Sequence, residues 1–144
     1  MLREYRAGDL EAMYALDLVC FEPVFRFSMR AMRRFAGAAG AVTVVAEAEG
    51  ELAGFTIVQM EREVGYVVTL DVAPAWRRRG LARRLMEEAE AQVRAAGGVR
   101  MELHVFVGNV GAVLFYEWMG YGRTGRVEAF YARGMDALVY GKRL

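Results

Sequence analysis

The spacing of hydrophobic and polar residues changes along the chain between helical and extended periods. After a short first strand predicted at residues 2–5, one face of a predicted first helix is apolar. Its members are Leu10, Met13, Tyr14, Leu16 and Leu18. Asp9 is expected to cap this helix, and Pro23 ends the pattern. Ser28 then opens a second, more basic helical segment that stops at Gly37.

Three strands are predicted after the second helix. Residues 42–47 and 52–60 are rich in β-branched residues, and a tight turn at residues 49–50 would join them as a hairpin. Residues 64–74 form a further extended run that Pro74 terminates. This run is apolar at odd and even positions alike, which is typical of a central strand.

The most regular helical pattern in the chain begins after Gly80 and ends at residues 97–98. Its predicted buried stripe consists of Leu81, Leu85, Ala89 and Val93. Three opposite-charge pairs spaced four residues apart are expected on its exposed face. These pairs are Arg83–Glu87, Arg84–Glu88 and Glu90–Arg94.

The C-terminal third of the chain predicts a strand, a helix and two further strands. Asn109 is expected to cap the helix, and Gly120 ends it. Its inner side is predicted to hold Val110, Val113, Leu114 and Trp118. The order is therefore strand, two helices, three strands, helix, strand, helix and two strands. This order predicts one mixed α+β domain over residues 1–144.

Composition narrows the possible functions. The 144 residues are 56% hydrophobic and carry a formal net charge of +1, so the chain is not a polycation. One cysteine and one histidine exclude a disulfide framework and a metal site built on those residues. Cys20 lies in an apolar run and is expected to be buried. The charged N-terminus and the lack of a membrane-length apolar segment lead us to expect a soluble cytoplasmic protein without membrane contact.

A cluster of arginines precedes the most regular helix. Arg77, Arg78 and Arg79 stand just before Gly80, where the free N–H groups of a helix start already carry partial positive charge. A strand, a loop, a glycine and a helix in this order are the usual setting for phosphate binding. The small residues Gly80 and Ala82 would let an anion reach the backbone. A solvated loop is the plain alternative, and a nucleic-acid patch is disfavoured by the near-neutral charge and the absence of an aromatic stripe.

Two segments together resemble the GNAT superfamily of acetyl-CoA-dependent N-acetyltransferases. The first is similar to its R/Q-x-x-G-x-G/A motif, with Arg77, Gly80 and Ala82 at the defining places. The second is similar to the family's L-x-V, N, A-x-x-x-Y and G-F/Y pattern. Its matching residues are Leu103, Val105, Asn109, Ala112, Tyr116, Gly120 and Tyr121. The resemblance implies a mostly antiparallel twisted sheet of about seven strands, flanked by four helices and splayed between the fourth and fifth strands.

The tail of the chain resembles one branch of that superfamily, the ribosomal-protein and protein N-terminal acetyltransferases. Tyr131, Asp136, Ala137 and Leu138 occupy the matching places. This resemblance implies a primary amine as acceptor, either a peptide N-terminus or a small molecule. We expect the acceptor to contact the turn at residues 21–27, with Glu22 and Arg26, and the loop near Tyr131 and Arg133.

The resemblance implies acetyl-CoA as co-substrate and no metal. Backbone N–H groups from about Arg78 to Arg83 would hold the pyrophosphate, with arginine side chains nearby. The pantetheine arm would pair with the edge of the fourth strand, where the Val72 N–H would polarise the thioester carbonyl. The implied cofactor-binding residues are Leu70, Val72, Ala73, Arg77, Arg78, Arg79, Gly80, Leu81, Ala82, Arg83, Asn109 and Tyr116.

The implied catalytic residues are Tyr116, His104 and Glu102. Tyr116 would protonate the departing sulfur as a general acid. His104 stands where the N-terminal acetyltransferase branch usually has glutamate, and its near-neutral pKa suits a base. Glu102 lies two residues earlier on the same strand face, so it is an alternative base or a partner that orients His104. Three alternatives stay open. His104 is either a base or a core histidine without a catalytic role, and the domain either transfers the acyl group or only binds acyl-CoA. The protein is either a monomer or a homodimer.

Overall fold

Seven strands form one sheet in the computed structural model, which describes residues 1–144. The strands are β1 (Leu2–Glu4), β2 (Ala41–Ala48), β3 (Glu51–Glu61), β4 (Val64–Val72), β5 (Arg100–Phe106), β6 (Gly122–Ala132) and β7 (Met135–Arg143). The helices are α1 (Leu10–Cys20), α2 (Met29–Ala36), α3 (Leu81–Ala95) and α4 (Val110–Trp118). None of these helices is both long enough and apolar enough to cross a bilayer.

The sheet is antiparallel except at one junction. The strand order is β1-β2-β3-β4-β5-β7-β6, and β4 and β5 are the single parallel pair. Helix α3 makes the crossover between them, as a parallel connection requires. The element order, the strand number and the mixed α+β architecture are confirmed.

The parallel junction opens partway along the strands. Pairing between β4 and β5 runs from Val64 opposite Arg100 to Val67 opposite Leu103 and stops there. Strand β4 continues to Val72 and β5 to Phe106, so their C-terminal halves diverge. The predicted splay between the fourth and fifth strands is therefore present, and it leaves one edge of β4 unpaired.

Each face of the sheet is covered by its own hydrophobic core. One core gathers the buried face of α3 and the inward side chains of β5 and α4. The other packs α1 and α2 against β2 and β3. Gly54 allows α3 to approach closely, because a Cβ there would lie 2.7 Å from the Asp71 carbonyl oxygen and 3.3 Å from Leu85.

Two of the three predicted helix caps are confirmed. The Ser28 side chain accepts a hydrogen bond from the Ala31 N–H (3.0 Å), and Asn109 accepts one from the Ala112 N–H (3.2 Å). The prediction for Asp9 is wrong, because a short 3₁₀ turn at Ala7–Asp9 precedes α1 and Asp9 makes no cap bond to that helix. Its carboxylate instead accepts hydrogen bonds from Arg3 and from the Arg6 N–H.

Helix α3 has the predicted buried stripe. The predicted ion pair between Arg83 and Glu87 is also present, with Arg83 Nε 3.0 Å from a Glu87 carboxylate oxygen. The exposed pair between Glu90 and Arg94 is a wrong prediction. Glu90 is buried, and its carboxylate accepts hydrogen bonds from Tyr121 Oη (2.6 Å) and Lys142 Nζ (3.0 Å). The pair between Arg84 and Glu88 is also absent, since the Glu88 carboxylate accepts from Gln92.

The predicted inner face of α4 is mostly wrong. Val110, Leu114 and Trp118 are between 60 and 67% exposed, while Tyr116 and the following Met119 are buried. Helix α4 packs beside the open end of the sheet, so its buried side is set by that position. Apolar spacing within nine residues could not distinguish the two sides.

Candidate active site

The diverging ends of β4 and β5 enclose a cleft of about 830 Å³. Most of its lining is hydrophobic and aromatic, with a few polar groups, as in typical small-molecule sites. The cleft brings together five of the predicted site residues. These are Leu70, Glu102, His104, Asn109 and Tyr116.

A smaller cavity of about 300 Å³ lies at the far end of β4. It is lined by most of the remaining predicted cofactor residues, namely Val72, Arg77, Arg78, Gly80, Leu81, Ala82 and Arg83. Phe115 lines both cavities, so they adjoin. Ala73 and Arg79 line neither; the Arg79 guanidinium instead stacks 4.8 Å above the ring of Trp76.

The turn before α3 has the geometry of an anion site. Gly80 has a φ of 77°, a conformation that glycine adopts without strain. The first backbone hydrogen bond of α3 runs from Arg84 N to the Gly80 carbonyl, so the N–H groups from Arg78 to Arg83 have no partner in the chain. A Cβ built at Gly80 would meet nothing within 4 Å. The turn is therefore open to a phosphate.

The arginine side chains do not all face that turn. Arg77 Nε donates to the Val72 carbonyl (3.1 Å), which ties the turn to the end of β4. Arg83 is shared between Glu87 and the ring of Trp118, whose centroid lies 5.6 Å away. Arg77 thus helps to hold the strand end while it also lines the smaller cavity, and its predicted place near a phosphate stays a prediction.

The edge of β4 that faces the cleft offers free backbone donors. Ala73 N donates to the Ala53 carbonyl of β3 (2.8 Å). Because successive N–H groups of a strand point to opposite edges, the Val72 N–H points away from β3 toward the open side. An extended ligand can pair there as an added strand.

Tyr116 is a buried phenol that lines the larger cavity, next to Phe115, which lines both. Its ring packs edge-on against Phe115 (5.3 Å) and Tyr121 (5.7 Å), and its hydroxyl has no hydrogen-bond partner in the chain. Burial, and then the charge of Asp71, raises the pKa of Tyr116 above the usual range. The hydroxyl therefore stays protonated and free to donate.

His104 lies on the cleft-facing side of β5. Its Nδ1 is 2.9 Å from Tyr66 Oη, and its ring stacks on Phe130 at 4.2 Å with an interplanar angle of 1°. Burial lowers the pKa of His104, and the charge of Glu102 opposes that shift. The imidazole is therefore neutral near pH 7. When Nδ1–H donates to Tyr66, Nε2 is left as a proton acceptor.

This end of the cleft is acidic. Glu61 and Glu102 line it beside Tyr66. Burial and the charges of these two carboxylates raise the pKa of Tyr66 to about 12. A cationic ammonium group would be attracted to this end before it loses its proton.

The predicted acceptor segments meet across the mouth of the cleft. Phe25, from the turn after α1, packs edge-on against Tyr131 of β6 (4.9 Å) and at 5.4 Å from Phe106 of β5. Arg26 lines the cleft, and its guanidinium donates to the carbonyls of Phe21 and Leu18. Glu22 and Arg133 do not line the cleft.

The bulge that carries Phe130 and Tyr131 depends on Asp136. The Asp136 carboxylate accepts hydrogen bonds from the Ala129 N–H and from Arg126 Nε, both at 2.9 Å. Ala129 has a φ of 50° within this bulge. The tail motif thus has a structural role, because it shapes the hairpin that closes the cleft.

Sequence reasoning missed several residues that line these cavities, among them four aromatic ones. Tyr66 and Phe130 flank His104, and both tryptophans of the chain, Trp76 and Trp118, line the smaller cavity. Tyr66 could have been found from the pleat, since it lies opposite Glu102 in the parallel pair. Trp118 could not, because its side of α4 was assigned to the core.

The splayed sheet, the open turn before α3 and the adjoining cleft match the architecture that the GNAT resemblance implies. Residues 10–121 match the acetyltransferase (GNAT) family, and the chain belongs to that family. The sequence is 30% identical over 107 residues to the N-terminal acetyltransferase A complex catalytic subunit ard1 of Schizosaccharomyces pombe. That match covers 69% of this chain and 60% of the relative's length.

Two solved structures illustrate the fold. One is the ribosomal-protein-S18-alanine N-acetyltransferase from Escherichia coli, with a TM-score of 0.88 and 21% identity over 99% of this chain and 92% of that one. The other is an aminoglycoside 6'-N-acetyltransferase complexed with coenzyme A, with a TM-score of 0.85 and 15% identity. That match covers 99% of this chain and 96% of the other. At these identities the likeness shows the fold, and it confirms the GNAT architecture.

Proposed function

We propose that the protein is an acetyl-CoA-dependent N-acetyltransferase whose acceptor is the N-terminal amine of a protein or peptide. The observation that carries this proposal is the continuous groove formed by the two cavities. The phosphate-accepting turn lies at one end of this groove, and the acidic pocket of His104 and Glu102 lies toward the other. Tyr116 lines the larger cavity beside Phe115, the residue that the two cavities share.

The residues present fit the co-substrate. Backbone N–H groups of Leu81, Ala82 and Arg83 would bind the pyrophosphate, and the open edge of β4 near Leu70 and Val72 would pair with the pantetheine. The Asn109 Oδ1 atom is used in the helix cap, so its Nδ2 group is the donor left for the ligand. Bound acetyl-CoA supplies the activated acetyl group.

Three side chains would carry out the proton transfers. His104 or Glu102 would take the proton from the acceptor ammonium, because both line the same end of the cleft. The Val72 N–H would stabilise negative charge on the carbonyl oxygen. Tyr116, which burial keeps protonated, would supply the proton to the departing sulfur. The groove would bring acceptor and thioester together, and this positioning contributes to rate by itself.

A peptide acceptor is supported by the shape and chemistry of the cleft mouth. Phe25, Phe106 and Tyr131 form an aromatic wall beside an acidic pocket, so an ammonium group and a neighbouring apolar side chain would both find complementary surfaces. The relative named above as a catalytic subunit of an N-terminal acetyltransferase complex supports the same acceptor class.

A panel of acceptors tests the proposal. Hexapeptides that differ at the first two residues would be assayed with acetyl-CoA, and transfer would be read by thiol release and by a mass increase on the N-terminal residue. The same peptides with a formylated N-terminus are the matched control. We expect turnover of free peptides alone. Turnover confined to small amines or aminoglycosides would reassign the acceptor, and acetyl-CoA binding without any transfer would make the domain a sensor.

A further inference from the structure

Two buried carboxyl groups outside the proposed catalytic set belong to elements that pack against each other, α1 and β4. Asp17 of α1 and Asp71 of β4 are both 0% exposed. Asp17 Oδ1 and Asp71 Oδ2 are the two buried side-chain polar atoms that lack a hydrogen-bond donor. Hydrogen bonding to Asp17 is one of the causes that raise the pKa of Asp71. Two ionised carboxylates cannot bond in this way, and burying both charges would be costly.

The other two carboxyl oxygens are fully accounted for. Asp17 Oδ2 accepts a hydrogen bond from the Phe27 N–H (3.0 Å), and Asp71 Oδ1 accepts one from Thr69 Oγ1 (2.5 Å). One proton between Asp17 Oδ1 and Asp71 Oδ2 would therefore satisfy all four oxygens. It would also reduce the charge of the pair from −2 to −1.

We propose that Asp17 and Asp71 share one proton, and that this bond holds the acceptor-side turn after α1 against the end of β4. Asp17 reaches the turn through Phe27, which lines the cleft together with Phe25. Asp71 lies between Leu70 and Val72, on the strand that would pair with the pantetheine. The pair is thus a positioning device between the two binding surfaces. Its effect on catalysis rests on the proposed function, whereas the shared proton does not.

The other titratable groups that interact with Asp71 keep one charge state between pH 5 and 8. The proton shared by Asp17 and Asp71 is therefore the one that titrates in this part of the structure. Cys20 of α1, Arg77 after β4 and Tyr116 of α4 interact with Asp71. Burial raises the pKa of Cys20 and of Tyr116 above their ordinary values, so neither ionises between pH 5 and 8. Arg77 is cationic throughout that range and partly offsets the remaining charge.

Burial and the neighbouring Asp17 raise the pKa of Asp71 well above its ordinary value. The folded protein therefore keeps a proton that an unfolded aspartate loses near pH 3.9. The retained proton therefore stabilises the folded state fully below that pH. This stabilisation is lost as pH rises through the pKa that Asp71 has in the folded protein. Within this window, release of one proton on unfolding makes the unfolding equilibrium constant rise up to about tenfold per pH unit.

The first experiment needs no ligand. Asp71→Asn and Asp17→Asn each replace the shared proton with an amide donor and can keep all the hydrogen bonds of the pair. Urea unfolding would be measured at half-unit steps from pH 5 to 8. We expect the wild-type unfolding constant to rise with pH more steeply than that of either variant. Parallel profiles would overturn the shared proton, and so would failure of both variants to fold at pH 5.

The second experiment tests positioning, with the best hexapeptide of the acceptor panel. Asp17→Ala removes the bond to the Phe27 N–H, whereas Asp17→Asn retains it. We expect Asp17→Ala to raise the peptide KM about tenfold. Its kcat and its calorimetric Kd for acetyl-CoA should stay within about twofold of wild type. Asp17→Asn should have the wild-type KM. An unchanged KM, or an equal loss of acetyl-CoA affinity, would overturn the positioning role. If no peptide is acetylated, the unfolding profiles still decide the shared proton.

Discussion

Nδ1 of His104 and the hydroxyl oxygen of Tyr66 lie 2.9 Å apart across the point where β4 and β5 begin to separate. Tyr66 is held by the last paired residues of β4, and His104 is the first residue of β5 beyond the pairing. The contact therefore orients the imidazole at the inner end of the cleft. Nε2 is the proton acceptor in the tautomer in which Nδ1–H donates to the Tyr66 hydroxyl oxygen.

A pH profile tests His104 as the base. Because burial lowers its pKa below the ordinary value of about 6.5, we expect kcat/KM to fall only when pH drops below that value. His104→Ala should remove this acid limb and lower kcat by about 10² to 10⁴-fold. Tyr66→Phe is the matched variant, which keeps the imidazole and should shift the limb rather than abolish it. An acid limb that persists in His104→Ala would assign the base to Glu102.

Removing one hydroxyl tests Tyr116 as the acid. We expect Tyr116→Phe to lower kcat by about 10²-fold or more if the phenol is the proposed proton donor. The Kd of coenzyme A from calorimetry should stay within about twofold. Tyr140→Phe is the control, because the Tyr140 hydroxyl donates to Glu117 (2.7 Å) and lies outside the cleft. Equal kcat values for Tyr116→Phe and wild type would contradict the assignment.

Charge placed at Gly80 tests the anion site. Aspartate and asparagine are isosteric, and both tolerate the left-handed conformation at Gly80. We expect Gly80→Asp to weaken coenzyme A binding at least about tenfold relative to Gly80→Asn, since a carboxylate would repel the pyrophosphate.

Intrinsic fluorescence gives a second readout of the same site. Both tryptophans of the chain line the smaller cavity, so their emission should change on coenzyme A binding and report the same difference between the Gly80 variants. Equal affinity of the two variants would place the phosphates elsewhere.

The buried Glu90 links α3 to the C-terminal strand. Glu90→Ala leaves Tyr121 and Lys142 without their acceptor, and we expect it to lower the free energy of unfolding by about 2–4 kcal/mol. Glu90→Gln keeps an acceptor oxygen and should cost less. Glu87→Ala removes an exposed ion pair on the same helix and should cost less than about 1 kcal/mol. Urea unfolding of the three variants checks this order.

Local patterns predicted those features whose causes lie within a few residues. The buried stripe of α3, the caps at Ser28 and Asn109, and the hairpin about Glu49 follow from spacing, side-chain oxygens and turn chemistry. The pairing of Glu102 and His104 on one strand face follows from the pleat. The resemblance carried by Arg77, Gly80 and Tyr116 supplied the family and the positions of the candidate site.

Features that depend on docking could not be predicted in this way. Apolar residues on two sides of α4 left its buried face undetermined, and the sheet edge beside it decided in favour of Tyr116 over Trp118. Glu90 was assigned to solvent because it has an opposite charge four residues away. Its actual partners, Tyr121 and Lys142, come from distant segments.

The sequence by itself determined the family, the element order and the glycine turn before α3, because each is encoded by contiguous residues and short-range geometry. The tertiary structure decided which distant groups share one environment. It set Tyr66 against His104 and Phe25 against Tyr131. The physical reason is that the packing of helices against a splayed sheet sets burial and charge proximity. Residue spacing along the chain carries no record of these contacts.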